Sequence, residues 1–251
     1  GIQSFAGSAG VAAWRAAVTV RNRSNDTSAE SRGGTTMATG HVDVSANRDR
    51  YNRLFSFGAQ VGAFTAGASI ADVTNSGQVL ARAGGEIGSL EEGPTSLNIS
   101  ATGDNKNDVM AVAAAMGVVS ATGTVAAIRG DSLNIDAEIA DGTQLFLQTQ
   151  NLPDQPLIED TTGRLDVTAF GNNADRALAD GTSAGAGVGV GAVESRISSV
   201  SDAHVHVGKD ANLQVEGIVT LEADILASKI DPEDGKFKAT NWVESRGVSS
   251  G

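Results

Sequence analysis

The chain of 251 residues contains no cysteine, which excludes disulfide bonds and thiolate metal sites. No stretch approaches the roughly 18 to 20 consecutive apolar residues of a membrane helix, so we expect no membrane insertion. The net charge is −12 and no basic face is concentrated enough to oppose it, which argues against a nucleic-acid partner. Arg48, Arg50 and Arg53 are interrupted by Asp49, and we expect a solvated turn there.

Aromatic residues make up only 4% of the chain, whereas glycine occurs 31 times. A core built from such small residues must be thin, with backbones close together. The aromatic residues are also too few for a platform of three or four rings that stacks on sugars, and the carboxylates are spread along the chain. Glycoside-cleaving enzymes need a close carboxylate pair, so we expect no enzyme activity.

Four stretches share one pattern, in which apolar and polar residues alternate before Gly, Asp or Asn follows. They are HVDVSANRD from His41, SLNISATGD from Ser96, RLDVTAFGN from Arg164 and IVTLEADIL from Ile218. They recur about every 55 residues, apart from one longer interval that contains QNLPDQPLIEDTTG. The pattern predicts an alternating β-strand in each stretch, followed by a turn.

A second set of stretches, rich in glycine and alanine, keeps the same spacing. These begin at Phe5, Phe57, Ala113 and Ser183, and each ends in β-branched residues. In the last of them every second residue is glycine over 185–191, so one face of that strand has no side chains. Either another backbone approaches closely there, or the structure is flattened at that point.

A unit of about 55 residues with few large side chains cannot bury enough apolar surface to offset its chain entropy, so neighbouring units must stack. We therefore predict an all-β fold, a parallel β-solenoid (β-helix) of about four degenerate repeats, forming one segment over 1–251. One repeat would make two coils or one wide coil. The predicted repeats are 1–53, 54–108, 109–176 with an insertion at 150–163, and 177–238, with a fifth beginning at 239–251. We expect the array to continue past both ends.

The stretch SAGAGVGVGAVESRISSVSDAHVHVGKDANLQVEGIVTLEA resembles repeats of large bacterial surface and secreted proteins, of the filamentous-haemagglutinin and leukotoxin-like filamentous adhesin type. The resemblance implies a right-handed solenoid that serves as a stalk, shaft or filament, outside the cell or on its surface. Its partners would be further copies of itself or adjacent repeats of the same chain. The alternative is an adhesin module that binds glycans or a cell surface through its outer wall or through 150–163.

Two acidic stretches are candidates for a calcium site, although the fold requires no cofactor. In IDPEDGKF the expected ligands are Asp231, Glu233 and Asp234, and in GDNKNDV they are Asp104 and Asp108. Neither stretch has the spacing of a helical calcium loop. Turn formation is the simpler interpretation, because Asp and Asn tolerate unusual backbone angles.

Two histidines, His204 and His206, alternate along one strand and so point to the same face. Such a pair can hold Zn²⁺ or Cu²⁺, but no third ligand is evident in the sequence. We therefore expect an exposed pair on the outer wall.

Overall fold

The computed structural model describes residues 1–38, 40–148, 163–230, 237–238 and 242–250. Within these ranges the regular structure is β-strand, as the alternating pattern predicts. The described residues contain no helix long and apolar enough to cross a membrane.

The strands differ greatly in length because the longest continue through bends. Their bounds are β1 Ile2–Ser24, β2 Thr27–Ser31, β3 Thr35–Thr36, β4 His41–Ser76, β5 Gln78–Ala83, β6 Glu86–Ile87, β7 Ser96–Ile139, β8 Gln144–Leu147, β9 Gly163–Val207, β10 Asn212–Val215, β11 Gly217–Ile230, β12 Phe237–Lys238 and β13 Trp242–Ser250.

Parallel pairing joins the long strands in the order β1, β4, β7, β9, and then β11 and β13, which both pair with β9. The four alternating stretches face one another in register. His41 pairs with Ser96, Ser96 with Arg164, and Arg164 with Ile218. The strands thus stack in five levels about 4.8 Å apart. The interval between successive stretches forms one wide level.

The levels of β1, β4, β7 and β9 each fold back near the middle of the long strand. In β7, Leu97 of the outgoing half packs in the same apolar cluster as Ile135 of the return half, and Val109 clusters with Ile128. These pairs are centred on residues 116–119, and the pairing with β9 is irregular between Gly117 and Val119. The outgoing half, with about 20 residues at about 3.3 Å each, spans about 70 Å. Every level is therefore much wider than it is tall.

At the wide end, away from the fold-back, a small parallel sheet adds a third wall. Its strands follow the order β10, β8, β6 and β3. From it Ile87, Leu145 and Leu147 enter the cluster that contains Leu97 and Ile135. The largest apolar side chains of the core therefore lie between three walls.

Toward the fold-back the interior narrows, and small residues replace Leu and Ile. A Cβ atom at Gly189 would lie 3.0 Å from the carbonyl oxygen of Ser183 and 2.5 Å from that of Ser250. A Cβ at Gly58 would lie 3.1 Å from the carbonyl oxygen of Ala68. A contact of 2.5 Å is essentially never found for a real Cβ atom, and contacts of 3.0 to 3.1 Å are tighter than nearly all of them, so glycine allows the backbones to approach at these positions. The close backbone approach expected for the glycine-alternating stretch is confirmed.

Candidate functional site

A band of polar side chains crosses the interior between the two apolar clusters, with Asn107 at its centre. The Asn107 amide Nδ2 donates to Asp131 Oδ2 at 2.8 Å and to Asp175 Oδ1 at 2.7 Å. Its Oδ1 accepts from Asn52 Nδ2 and from Asn75 Nδ2, each at 2.8 Å. Asn107 therefore forms all four hydrogen bonds that an amide side chain can make.

The stacking register brings these residues together from distant parts of the chain. Asn52, Asn107 and Asp175 are direct partners on β4, β7 and β9, so they form a column along the stack. Asn75 and Asp131 come from the return halves of β4 and β7 and reach the column from the opposite wall. The polar network thus ties three levels and both walls to one amide.

The turn predicted after the alternating stretches is wrong for the first three of them. Residues 103–109 continue within β7, and their equivalents continue within β4 and β9. Asn and Asp favour turns when their side chains bond to nearby backbone, but here Asn105 and Asn107 bond across the interior to Asp131. The hydrogen bonds of the polar network keep these residues in strand conformation.

The expectation of a solvated arginine turn is also wrong. Arg48 and Arg50 lie within β4 and are only 6% and 4% exposed, whereas Arg53 projects to the outer wall. Arg48 Nη1 donates to the Asn25 carbonyl oxygen at 2.9 Å, and Arg50 Nη2 donates to that of Ser76 at 3.4 Å. Burial, together with the nearby charge of Arg48, lowers the pKa of Arg50 to about 10.

The two buried carboxyl groups of the network have raised pKa values. Burial raises the pKa of Asp131, against the opposing effect of its hydrogen bond from Asn105. For Asp175, burial and then the nearby charge of Asp131 raise the pKa to about 7, although the hydrogen bond from Asn107 acts in the opposite direction. Near neutral pH the network therefore holds Asp175 partly in its uncharged form.

The predicted calcium ligands do not come together in the described part of the chain. Asp231, Glu233 and Asp234 lie outside the described residues, as does the insertion at 150–163 up to residue 162. Asp104 is paired with Lys106. Asp108 lies between two guanidinium groups, with Arg53 Nε at 3.5 Å and Arg176 Nη1 at 3.8 Å. Among the described residues, no group of three His, Asp or Glu side chains is placed to hold a metal ion.

The histidine pair lies on the outer wall as expected. His204 and His206 are both exposed and occupy alternate positions of β9. His204 Nδ1 lies 3.5 Å from Asp136 Oδ1 of the neighbouring level. The prediction of an exposed pair is confirmed.

Three phenylalanine rings form a cluster on the outer wall, which the low aromatic content of the sequence does not suggest. The ring centroids of Phe5 and Phe55 are 5.8 Å apart, those of Phe5 and Phe57 6.4 Å, and those of Phe55 and Phe57 6.5 Å. Sequence reasoning missed the cluster because Phe5 is distant in the chain, and only the pairing of Phe5 with Phe57 brings it there.

A shallow groove of about 220 Å³ runs beside this cluster. The residues lining it are Gln3, Arg53, Leu54, Phe55, Asp108 and Met110. One aromatic ring, a guanidinium group and a carboxylate therefore border one another at the groove.

Comparison with known proteins does not assign the chain to a protein family. No family model matches it, and neither a curated protein nor a solved structure is significantly similar. The function is therefore argued from the geometry.

We expect Asn107→Leu to lower the free energy of unfolding by about 3 kcal/mol or more, because it leaves several buried polar groups without their partner and each costs about 1–3 kcal/mol. Asn98→Ala is the control, since Asn98 makes an exposed hydrogen bond to Asp43. Urea unfolding followed by circular dichroism measures both variants. Equal, small losses would contradict a central role for Asn107.

We expect the protein to become less stable as the pH rises through about 7, because folding raises the pKa of Asp175. The folded state binds more protons than the unfolded state between the two pKa values. The contribution of Asp175 to stability is therefore complete below the unfolded pKa of 3.8, falls as the pH rises, and is gone above the folded pKa of about 7. One such group changes stability by at most about 1.4 kcal/mol per pH unit.

Urea unfolding between pH 5 and pH 8 tests this dependence. Asp175→Asn should flatten the profile, because the amide keeps a neutral side chain at every pH. Asp224→Asn, at an exposed position of β11, is the matched control. A wild-type profile that rises with pH over this range would contradict the assignment.

Proposed function

We propose that the chain is a structural segment: a parallel β-solenoid whose levels extend a stalk, shaft or filament of a large repetitive protein outside a bacterial cell. The observation that carries the proposal is the register, in which equivalent positions of successive stretches pair directly over five levels. An array of this kind grows along one axis by adding levels.

The interior supports a structural role. The three inner levels, those of β4, β7 and β9, each contribute residues to two apolar clusters and to the polar network between them. The network draws on β4, β7 and β9 at once, so a change of register by one residue would turn its amides outward and expose the apolar positions. Such a stack resists sliding of one level past the next.

The two ends of the stack also support growth along the axis. Within the described residues, β1 pairs with β4 alone, and residues 188–207 of β9 pair with β7 alone. Each therefore presents a free strand edge. Free edges recruit further strands, and a second copy or adjacent repeats of the same chain would supply strands of the same shape.

Electron microscopy of the chain at high concentration tests this function. We expect particles about 70 Å in the long dimension, because each half-level spans that width. We expect these particles to stack along the axis that runs through the five levels. Compact particles much narrower than this would contradict the extended levels and with them the proposed function.

The phenylalanine cluster favours a second candidate function, an adhesin module that binds glycans through its outer wall. Sugars stack on aromatic rings and take hydrogen bonds from planar polar side chains, and Phe55, Arg53 and Asp108 meet at one groove. The other candidate surface, the insertion at 150–163, lies outside the described residues up to residue 162.

A glycan array comparing wild type with the double variant Phe55→Ala/Phe57→Ala tests the second candidate. We expect at least a tenfold loss of signal, because the variant removes two of the three rings. Trp14→Ala is the control, since Trp14 is exposed elsewhere on β1. A wild-type chain that binds no glycan, or binding that both variants retain, would rule out this use of the cluster.

A further inference from the structure

In the part of the levels that lies near the fold-back, the usual distribution of polar and apolar residues is reversed. We call this part the narrow half and define it as residues 54–71 of β4, 109–128 of β7 and 181–193 of β9. None of these ranges contains a charged residue. Several of the inward positions nevertheless hold polar side chains that are almost fully buried. They are Ser56, Gln60, Thr65, Ser69, Ser120 and Thr124.

The outward positions of the narrow half carry apolar or small side chains instead. In β7 the outward positions alternate with buried ones, and they are Met110, Val112, Ala114, Ala121, Gly123 and Val125. At the tip, where the levels fold back, Val61, Phe64, Met116 and Val118 are each more than half exposed. The apolar surface therefore runs along both walls and around the tip that joins them.

This surface belongs to the inner levels of the stack. Within the narrow half, β4 pairs with both β1 and β7, and β7 pairs with both β4 and β9. Their backbone groups are thus bonded along the stack, and it is the side chains that face outward. Contiguous apolar patches on monomeric soluble proteins seldom exceed a few hundred Å², so a surface that covers two walls and a tip indicates an apolar partner.

We propose that the narrow half inserts into the hydrocarbon of a phospholipid bilayer. A second copy or another folded protein would cover one wall, whereas acyl chains have no fixed shape and cover both walls and the tip together. Strands enter hydrocarbon only where their backbone hydrogen bonds are satisfied within the protein, and pairing along the stack satisfies them in β4 and β7. The proposal replaces the expectation of no membrane insertion, which was drawn from the lack of a long apolar run.

The depth of the narrow half matches that of a bilayer. Asp108 is the last charged residue of β7 before the fold-back, and Gly117 lies at the tip. At about 3.3 Å per residue, the strand between them spans about 30 Å. The hydrocarbon core of a bilayer is also about 30 Å thick. The narrow half can therefore enter the core without bringing a charged residue into it.

Two ion pairs mark the border of the narrow half. Arg53 Nε lies 3.5 Å from Asp108 Oδ2 on the outgoing wall, and Arg129 Nε lies 3.2 Å from Asp72 Oδ2 on the return wall. In each pair the arginine side chain is more than half exposed, and the carboxylate is less than one-fifth exposed. The guanidinium groups thus face outward, where they can bind the phosphate oxygens of lipid headgroups when the narrow half is inserted.

Flotation of the full chain with phosphatidylcholine vesicles tests the proposal. This neutral lipid is the probe because the net charge of −12 opposes binding to an anionic surface. We expect the wild type to float with the vesicles. The double variant Val61→Asp/Met116→Asp should bind at least tenfold more weakly, because a charged side chain is costly within hydrocarbon.

The matched control is Ser45→Asp/Ser100→Asp. It adds the same two charges to outward positions of the same two strands, but at the wide end. In both variants the two new residues are direct partners on β4 and β7, so the repulsion between the added charges is the same. Circular dichroism verifies that each variant keeps its β structure.

A fluorescent label measures the depth of insertion in a chain that is otherwise wild type, because the chain has no cysteine of its own. The environment-sensitive dye NBD is attached to Val118→Cys at the tip or to Ser100→Cys at the wide end of the same strand. We expect vesicles with brominated acyl chains to quench the label at 118 at least twofold and to leave the label at 100 unchanged. This measurement decides the matter if the double variant does not fold.

Three outcomes would overturn the proposal. The first is a wild-type chain that does not float, and the second is a label at 118 that brominated lipid does not quench. The third is equal weakening of binding by the two double variants, which would show repulsion rather than loss of insertion. If light scattering finds a dimer that only Val61→Asp/Met116→Asp dissociates, and the wild type does not float, the surface is a contact between copies. None of these outcomes affects the proposed structural segment, because the register of the levels does not depend on lipid.

Discussion

The structure depends on one constraint: the same position of each level must lie directly over its counterpart in the next. Parallel pairing in register gives every buried strand a partner on both sides, so few backbone groups of the inner levels lack a hydrogen bond. It also aligns identical or similar side chains into columns. The apolar clusters and the polar network around Asn107 follow from that alignment.

Within this constraint the interior divides into zones with different tasks. Leu and Ile at the wide end supply most of the buried apolar volume, where three walls meet. Gly, Ala and Ser toward the fold-back allow two backbones to approach, but these small residues bury little apolar surface. The polar network between them specifies the register of neighbouring strands. If a strand shifts by one residue, its amides lose their hydrogen-bond partners, and those partners are left unsatisfied in the interior.

Polar groups seldom occupy the centre of a core, and the shifted pKa values of the buried groups show that burial disfavours their charged forms. Arg50 has a lowered pKa and Asp175 a raised one, each mainly because burial disfavours the charged form. Asn107 offsets part of that cost by donating to both carboxyl groups. Specificity of register is what such a network can provide in return, and a repetitive chain has many wrong registers to exclude.

The sequence by itself determined the all-β class, the in-register pairing of the four alternating stretches and the need for close backbones around Gly189, because these follow from local alternation, spacing and side-chain size. It did not predict that Arg48, Arg50 and Asn107 face the interior, since the same residues form turns wherever nothing lies opposite them. Nor did it predict the cluster of Phe5, Phe55 and Phe57. Only the tertiary structure decided these features, because they depend on which distant strand lies alongside and on which face the fold-back encloses.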